Sequence, residues 1–139
     1  MICRTVIFCF VMLMLSSCGR KNSLSEVEII NSSSWQKPVT VSLYNEDTVS
    51  LRNIVFFLRS RTTCMDETLP ITVTVMDPDS LYFSERFPLR ISHNNHMLAQ
   101  CSEIPYRRCS RLSKKGIYKF IFSPETAIIG VEAVGVKLK

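Results

Sequence analysis

Cysteine is the residue type with the most chemistry to offer in this chain, and the positions of its six copies divide that chemistry. Cys18 follows Leu15-Ser16-Ser17, at the end of an apolar run from Val6 to Leu15 with Arg4 ahead of it. One positive charge, a short apolar run and two small residues before a cysteine form the layout of a bacterial lipoprotein signal peptide. The small side chains leave the thiol open to acylation, which precedes cleavage on its N-terminal side. As a helix the run spans about 15 Å, half of a hydrocarbon core of about 30 Å, so it reads as an export signal rather than a permanent anchor. Residues 1–17 are therefore expected to be removed, leaving Cys18 as a lipidated N-terminus.

Cys3 and Cys9 leave with that signal, so Cys64, Cys101 and Cys109 remain, an odd number where disulfides are permitted. Cys101 and Cys109 bracket a segment that reads as a short polar loop, and they form the expected pair, with Cys64 a free, buried thiol. A pairing that uses Cys64 stays open, because spacing alone does not set connectivity. His93 and His96 lie nearby, and imidazoles with thiolates can ligate zinc. The His-x-x-His and Cys-to-Cys gaps match no strong zinc pattern, so neither a metal nor a cofactor is expected.

Other candidates are weaker. Arg107, Arg108, Arg111, Lys114 and Lys115 form a basic cluster that could meet lipid phosphate or an acidic partner surface; a solvated loop is the simpler reading. Trp35 reads first as a plug for one end of a core and second as an exposed binding anchor. Asp77 and Asp79 flank Pro78 and are more simply a turn than a catalytic or calcium-binding couple. No Gly-x-Ser-x-Gly elbow is present and no constellation supports an enzyme or a small-molecule substrate. The net charge of +5 is moderate and carries no aromatic-interleaved basic stripe, so nucleic acid is set aside in favour of lipid or acidic partners.

The elements that must position these residues read as strands. Val39 to Leu43 and Pro70 to Val75 alternate apolar and polar residues, as strands with one buried face must. Asn53 to Arg59 is apolar on both faces, which predicts a central strand. Ile117 to Phe122 places Tyr118, Phe120 and Phe122 on one face, and Val134, Val136 and Leu138 do the same at the end of the chain. Arg86 to Ile91 contains Pro88, which cannot donate to a neighbour and so predicts an edge. A seventh strand falls near Leu81-Tyr82-Phe83. Gly130 and Gly135 read as relief of crowding at a turn and beside a neighbouring strand. The expected architecture is all-β, a single antiparallel β-sandwich over 35–139, immunoglobulin-like with about seven strands, preceded by a flexible tether over 18–34.

Ser34-Trp35-Gln36-Lys37 leading into the first strand, Asn53-Ile54 opening a strand that ends at Leu58-Arg59, Gly116-Ile117-Tyr118-Lys119-Phe120, and the closing Ile129-Gly130-Val131 with Val134-Gly135-Val136 follow one another in order. Together with the signal, this pattern resembles the gliding-motility lipoprotein H family of Bacteroidetes. The resemblance implies an outer-membrane lipoprotein associated with gliding or type IX secretion, with envelope proteins as partners and no enzymatic activity. Surface-exposed lipoproteins of that phylum tend to carry acidic residues after the lipidated cysteine. Gly19-Arg20-Lys21-Asn22 has none, so the periplasmic face is expected. Asp47-Thr48-Val49 and Asp79-Ser80-Leu81 resemble the O-glycosylation acceptor of that phylum, which makes Thr48 and Ser80 candidate sites in turns. The alternative function is a carbohydrate-binding or adhesin-like module, which would need Tyr44, Tyr82 and Tyr106 exposed together with Trp35 in a groove.

Overall fold

The computed structural model describes residues 24–31, 33–61, 63–64, 66–91 and 98–139. Cys18, His93 and His96 lie outside these residues. The described chain contains twelve strands and no helix: β1 (Leu24–Ile29), β2 (Ser34–Trp35), β3 (Val39–Asn45), β4 (Arg52–Arg61), β5 (Thr68–Leu69), β6 (Ile71–Met76), β7 (Tyr82–Arg86), β8 (Leu89–Arg90), β9 (Ala99–Ser110), β10 (Gly116–Pro124), β11 (Ile128–Ile129) and β12 (Val131–Leu138). Every pairing is antiparallel.

Eight strands make two four-stranded sheets, in the orders β1-β12-β4-β9 and β3-β10-β6-β7. Counted along the chain, these eight read 1-8-3-6 in one sheet and 2-7-4-5 in the other. That is the order of two interleaved Greek keys, a jelly roll, and differs from the immunoglobulin arrangement of ABED facing CFG. The all-β sandwich is as expected. The strand order is set by long-range pairing, which alternating side chains alone do not encode.

The inward faces follow the alternation. Val41 and Leu43 of β3, Ile71 and Val73 of β6, Phe120 and Phe122 of β10, and Val134, Val136 and Leu138 of β12 are all buried. Phe56 of β4 sits at the centre, its ring 4.9 Å from Phe122 and 6.3 Å from Phe120 in edge-on contact and stacked 4.4 Å from Tyr106. Truncating so fully buried a ring costs about 3–5 kcal/mol, so this aromatic contact is a principal tie between the sheets. The two glycines have the reasons expected of them. Gly130 takes φ +88 in the turn before β12, where a Cβ would lie 2.5 Å from the Cys64 nitrogen. At Gly135 a Cβ would lie 2.6 Å from the Glu26 carbonyl of β1.

Three expectations about the elements need correction. The segment expected as a tether contains β1, which pairs along its whole length with β12 from Leu24 opposite Leu138 to Ile29 opposite Ala133. Its Glu26 and Glu28 are exposed, so it has the composition of a linker while acting as a sheet edge. The expected strand Arg86 to Ile91 is broken at Phe87-Pro88, and the edge of its sheet is β7, the strand foreseen only as a seventh. The expected polar loop around Cys101 and Cys109 is the twelve-residue strand β9. Its inward positions are Ser102, Ile104 and Tyr106, too few apolar residues to signal a strand, and it tolerates Pro105 because it is an edge.

The pairing registers give the sandwich two ends. Leu24, Lys139 and the connections 46–51, 77–81 and 111–115 cluster at one, since Leu24 lies opposite Leu138, Arg52 opposite Ser110, Asn45 opposite Gly116 and Met76 opposite Tyr82. Trp35 and the ladders β2–β11 and β5–β8 belong to the other.

Candidate functional site

The edges of the two sheets meet where β7 faces β9. Tyr106 points inward from β9, and its hydroxyl donates to Glu85 Oε1 of β7 at 2.6 Å. The Arg107 guanidinium also pairs with Glu85 and lies 4.3 Å from the centre of the Tyr106 ring. Burial, followed by the hydrogen bond to the Glu85 carboxylate, holds the Tyr106 hydroxyl well above its ordinary range, so it remains a proton donor. These three side chains latch one sheet to the other.

Beside the latch opens a cleft of about 380 Å³, lined among others by Tyr82, Phe83, Tyr106 and Leu112. Leu81, Tyr82 and Phe83, at the start of β7, are 66 %, 72 % and 54 % exposed. Among the described residues β7 pairs with β6 on one side only, so its outer edge presents backbone groups without a strand partner next to apolar side chains.

The basic cluster divides by what each cation touches. Arg107 is taken up by Glu85, and Lys114 reaches Asp77 at 2.5 Å and Asp79 at 2.8 Å. The two aspartates push Lys114 above its ordinary value, and Asp77 is held low first by the hydrogen bond from Lys114. Arg108, Arg111 and Lys115 are exposed and have no ion-pair partner among the described residues. Their loop is built, not floppy. Buried Asn45 donates through Nδ2 to the carbonyls of Leu112 and Lys114, each at 3.0 Å, and the Lys114 N–H donates to the Tyr118 hydroxyl at 3.1 Å.

Trp35 is 2 % exposed and donates from Nε1 to the Lys37 carbonyl at 2.8 Å, so it is a core plug and not the surface anchor also considered for it. Tyr44 and Tyr82 are exposed on opposite edge strands of one sheet, while Tyr106 is buried. The groove of tyrosines with Trp35 that sugar binding would need is not formed.

Cys101 and Cys109 are both exposed and free, eight residues apart on β9. At about 3.3 Å per residue, roughly 25 Å separates them, against a Cα separation below about 7 Å for a disulfide. The expected bridge is therefore corrected, and the same separation prevents both thiols from meeting on one ion. Cys64 is buried, and burial raises its thiol above the ordinary value.

Thr48 and Ser80 both lie in turns built by an aspartate, Asp47 for the first and Asp77 for the second. Asp47 Oδ1 accepts from the N–H of Val49 at 3.0 Å and of Ser50 at 2.9 Å, and Asp77 Oδ1 accepts from Asp79 at 2.9 Å and Leu81 at 3.0 Å. Ser80 is exposed, with φ 64; Thr48 is partly exposed. Glu85 is the residue sequence reasoning missed. Its only signal was the alternation of Phe83 and Glu85 on one face of a short strand, which puts an acid where an apolar residue is expected.

The fold and this edge define a jelly-roll sandwich with an aromatic, one-sided strand beside an open cleft. No family model matches the chain, and the comparison with characterised proteins gives no match.

Proposed function

We propose that this chain is a lipid-anchored interaction module of the bacterial envelope, held by Cys18 at the periplasmic face of the outer membrane and binding an envelope protein through the edge of β7. The observation that carries the reading is the exposure of Tyr82 and Phe83 on an edge strand that, among the described residues, pairs on one side only. An extended segment of a partner can add to such an edge as a further strand, with main-chain hydrogen bonds for affinity and a side chain seated in the adjoining cleft for specificity. Jelly rolls support many functions, so the argument rests on this edge and not on the fold. The resemblance to the gliding-motility lipoprotein H family supports a partner within the gliding or type IX secretion apparatus. The lipoprotein signal and the basic Arg20-Lys21 beside it in sequence support the anchor.

Photo-crosslinking in intact cells tests the reading. A photoreactive residue replacing exposed Ser84 of β7 should join the chain to an envelope protein, and one replacing Thr40 on the far edge strand β3 should not. Equal labelling at both positions, or none at Ser84 in chains that incorporate labelled palmitate, would refute the β7 edge as the docking site.

A further inference from the structure

Three of the cations without an ion-pair partner among the described residues share one end of the sandwich. Arg108, Arg111 and Lys115 all sit at the end of the sandwich where Leu24 begins, because β9 runs toward that end and β10 starts from it. The loops beside them carry apolar side chains into solvent: Val49 is 73 %, Leu51 60 % and Leu81 66 % exposed. Of the acids at this end, Asp47 is held by Arg52, Asp77 and Asp79 by Lys114, and Glu46 is exposed. At the opposite end Arg59 and Arg61 share Glu132 and Arg86 is held by Glu125, while Lys37 and Arg90 are exposed without an ion-pair partner among the described residues.

Leu24 follows Cys18 by six residues, so at most about 21 Å of chain separates them. On the lipoprotein reading proposed above, on which this step rests, the acyl chains hold this same end against the bilayer. We infer that the end is a membrane-resting face, on which Arg108, Arg111 and Lys115 meet the phosphates of an anionic phospholipid surface while Val49, Leu51 and Leu81 enter its interfacial layer. Basic side chains near anionic headgroups and apolar tips at the acyl boundary add to a lipid anchor in the way a second membrane signal does. Asn45 and Tyr118 order the cationic loop in advance, so little freedom is lost on docking. The body then stands on its loops, with the β7 edge rising from the surface and free along its length.

The chain carries its own probes. Cys109 lies at this end and Cys101 roughly 25 Å along β9 toward the other, and both thiols are exposed. The full lipidated chain is placed in phosphatidylcholine vesicles with and without phosphatidylglycerol, at low salt. Alkylation of each thiol by a bulky water-soluble maleimide is followed by peptide mass analysis. Phosphatidylglycerol should slow Cys109 several-fold relative to Cys101, and the Arg108→Glu/Arg111→Glu/Lys115→Glu variant should restore its rate. A Cys109 rate indifferent to lipid charge, in protein shown to carry palmitate, overturns the resting face and leaves the anchor standing. Slowing that survives the triple substitution overturns the role of the cations. Absence of palmitate from the chain overturns the anchor, and this inference with it.

Discussion

The Tyr106 hydroxyl of β9 donates to the Glu85 carboxylate of β7 at 2.6 Å, joining the edge of one sheet to the edge of the other. Because the two strands belong to different sheets, this bond resists the opening of the sandwich on the side where its cleft lies. Tyr106→Phe keeps the ring stacked on Phe56 and removes only the donor. It is expected to cost about 1–2 kcal/mol in urea unfolding, the scale of a hydrogen bond to a charged group at a partly buried site. Glu85→Ala and the double variant complete a cycle. The double variant should cost less than the sum of the two single variants, since each single substitution removes the same bond.

Cys101→Ser/Cys109→Ser should change stability by less than about 0.5 kcal/mol, as expected for exposed side chains outside any packed feature. Removal of a native bridge would cost about 2–5 kcal/mol, so thermal unfolding of this double variant separates free thiols from a disulfide. In the native wild-type protein, maleimide should label Cys101 and Cys109 without prior reduction. Cys64, buried and with its thiol pushed up, should react only after unfolding.

Asn45→Ala leaves the carbonyls of Leu112 and Lys114 without their donor. The expected loss is about 2 kcal/mol, with faster amide exchange across 111–115. Unchanged exchange in that loop would mean that Asn45 does not order it.

Gly130→Ala places a methyl group 2.5 Å from the Cys64 nitrogen at a φ of +88. Strain and clash act together, and the midpoint of denaturant unfolding should fall by an amount equivalent to about 2 kcal/mol or more.

Acid should loosen the fold over a defined range. Glu103 is held down to about 2 from 4.5, chiefly by Lys137 and then Lys139, while Arg61 lowers Glu132 and Arg86 lowers Glu125. A carboxylate whose folded value lies below its unfolded value stabilises the fold above the unfolded value, and that contribution disappears as pH falls through the folded one. Melting temperature should therefore decline between about pH 4.5 and 2, and Glu103→Gln should flatten the decline. All three carboxylates remain partly exposed to solvent, so added salt should shrink the effect.

Much of the sandwich was legible because its central strands are apolar where they face inward. β3, β4, β6, β10 and β12 were each found within a few residues of their observed bounds. β1 and β9 were not, and both are edges. An edge strand buries one face and exposes a backbone side, so polar and charged residues suit it, and its composition becomes that of a loop. The candidate site suffered more. Tyr106 was considered as an exposed aromatic and proves buried, while Glu85 drew no attention at all. Arg107 and Arg108, neighbours in sequence, have opposite fates because strand alternation and the bend at Cys109, φ 50, send them to different surroundings.

Local order alone thus carried the antiparallel β character, the buried faces of the central strands and the core role open to Trp35. These follow from side-chain alternation and residue size, which act between neighbours along the chain. The tertiary structure decided the interleaved strand order, the separation of Cys101 from Cys109, and which cations remain unpaired. Each of those depends on pairs distant in sequence, such as Tyr106 with Glu85 or Lys114 with Asp77, whose meeting is set by sheet register and not by any local pattern.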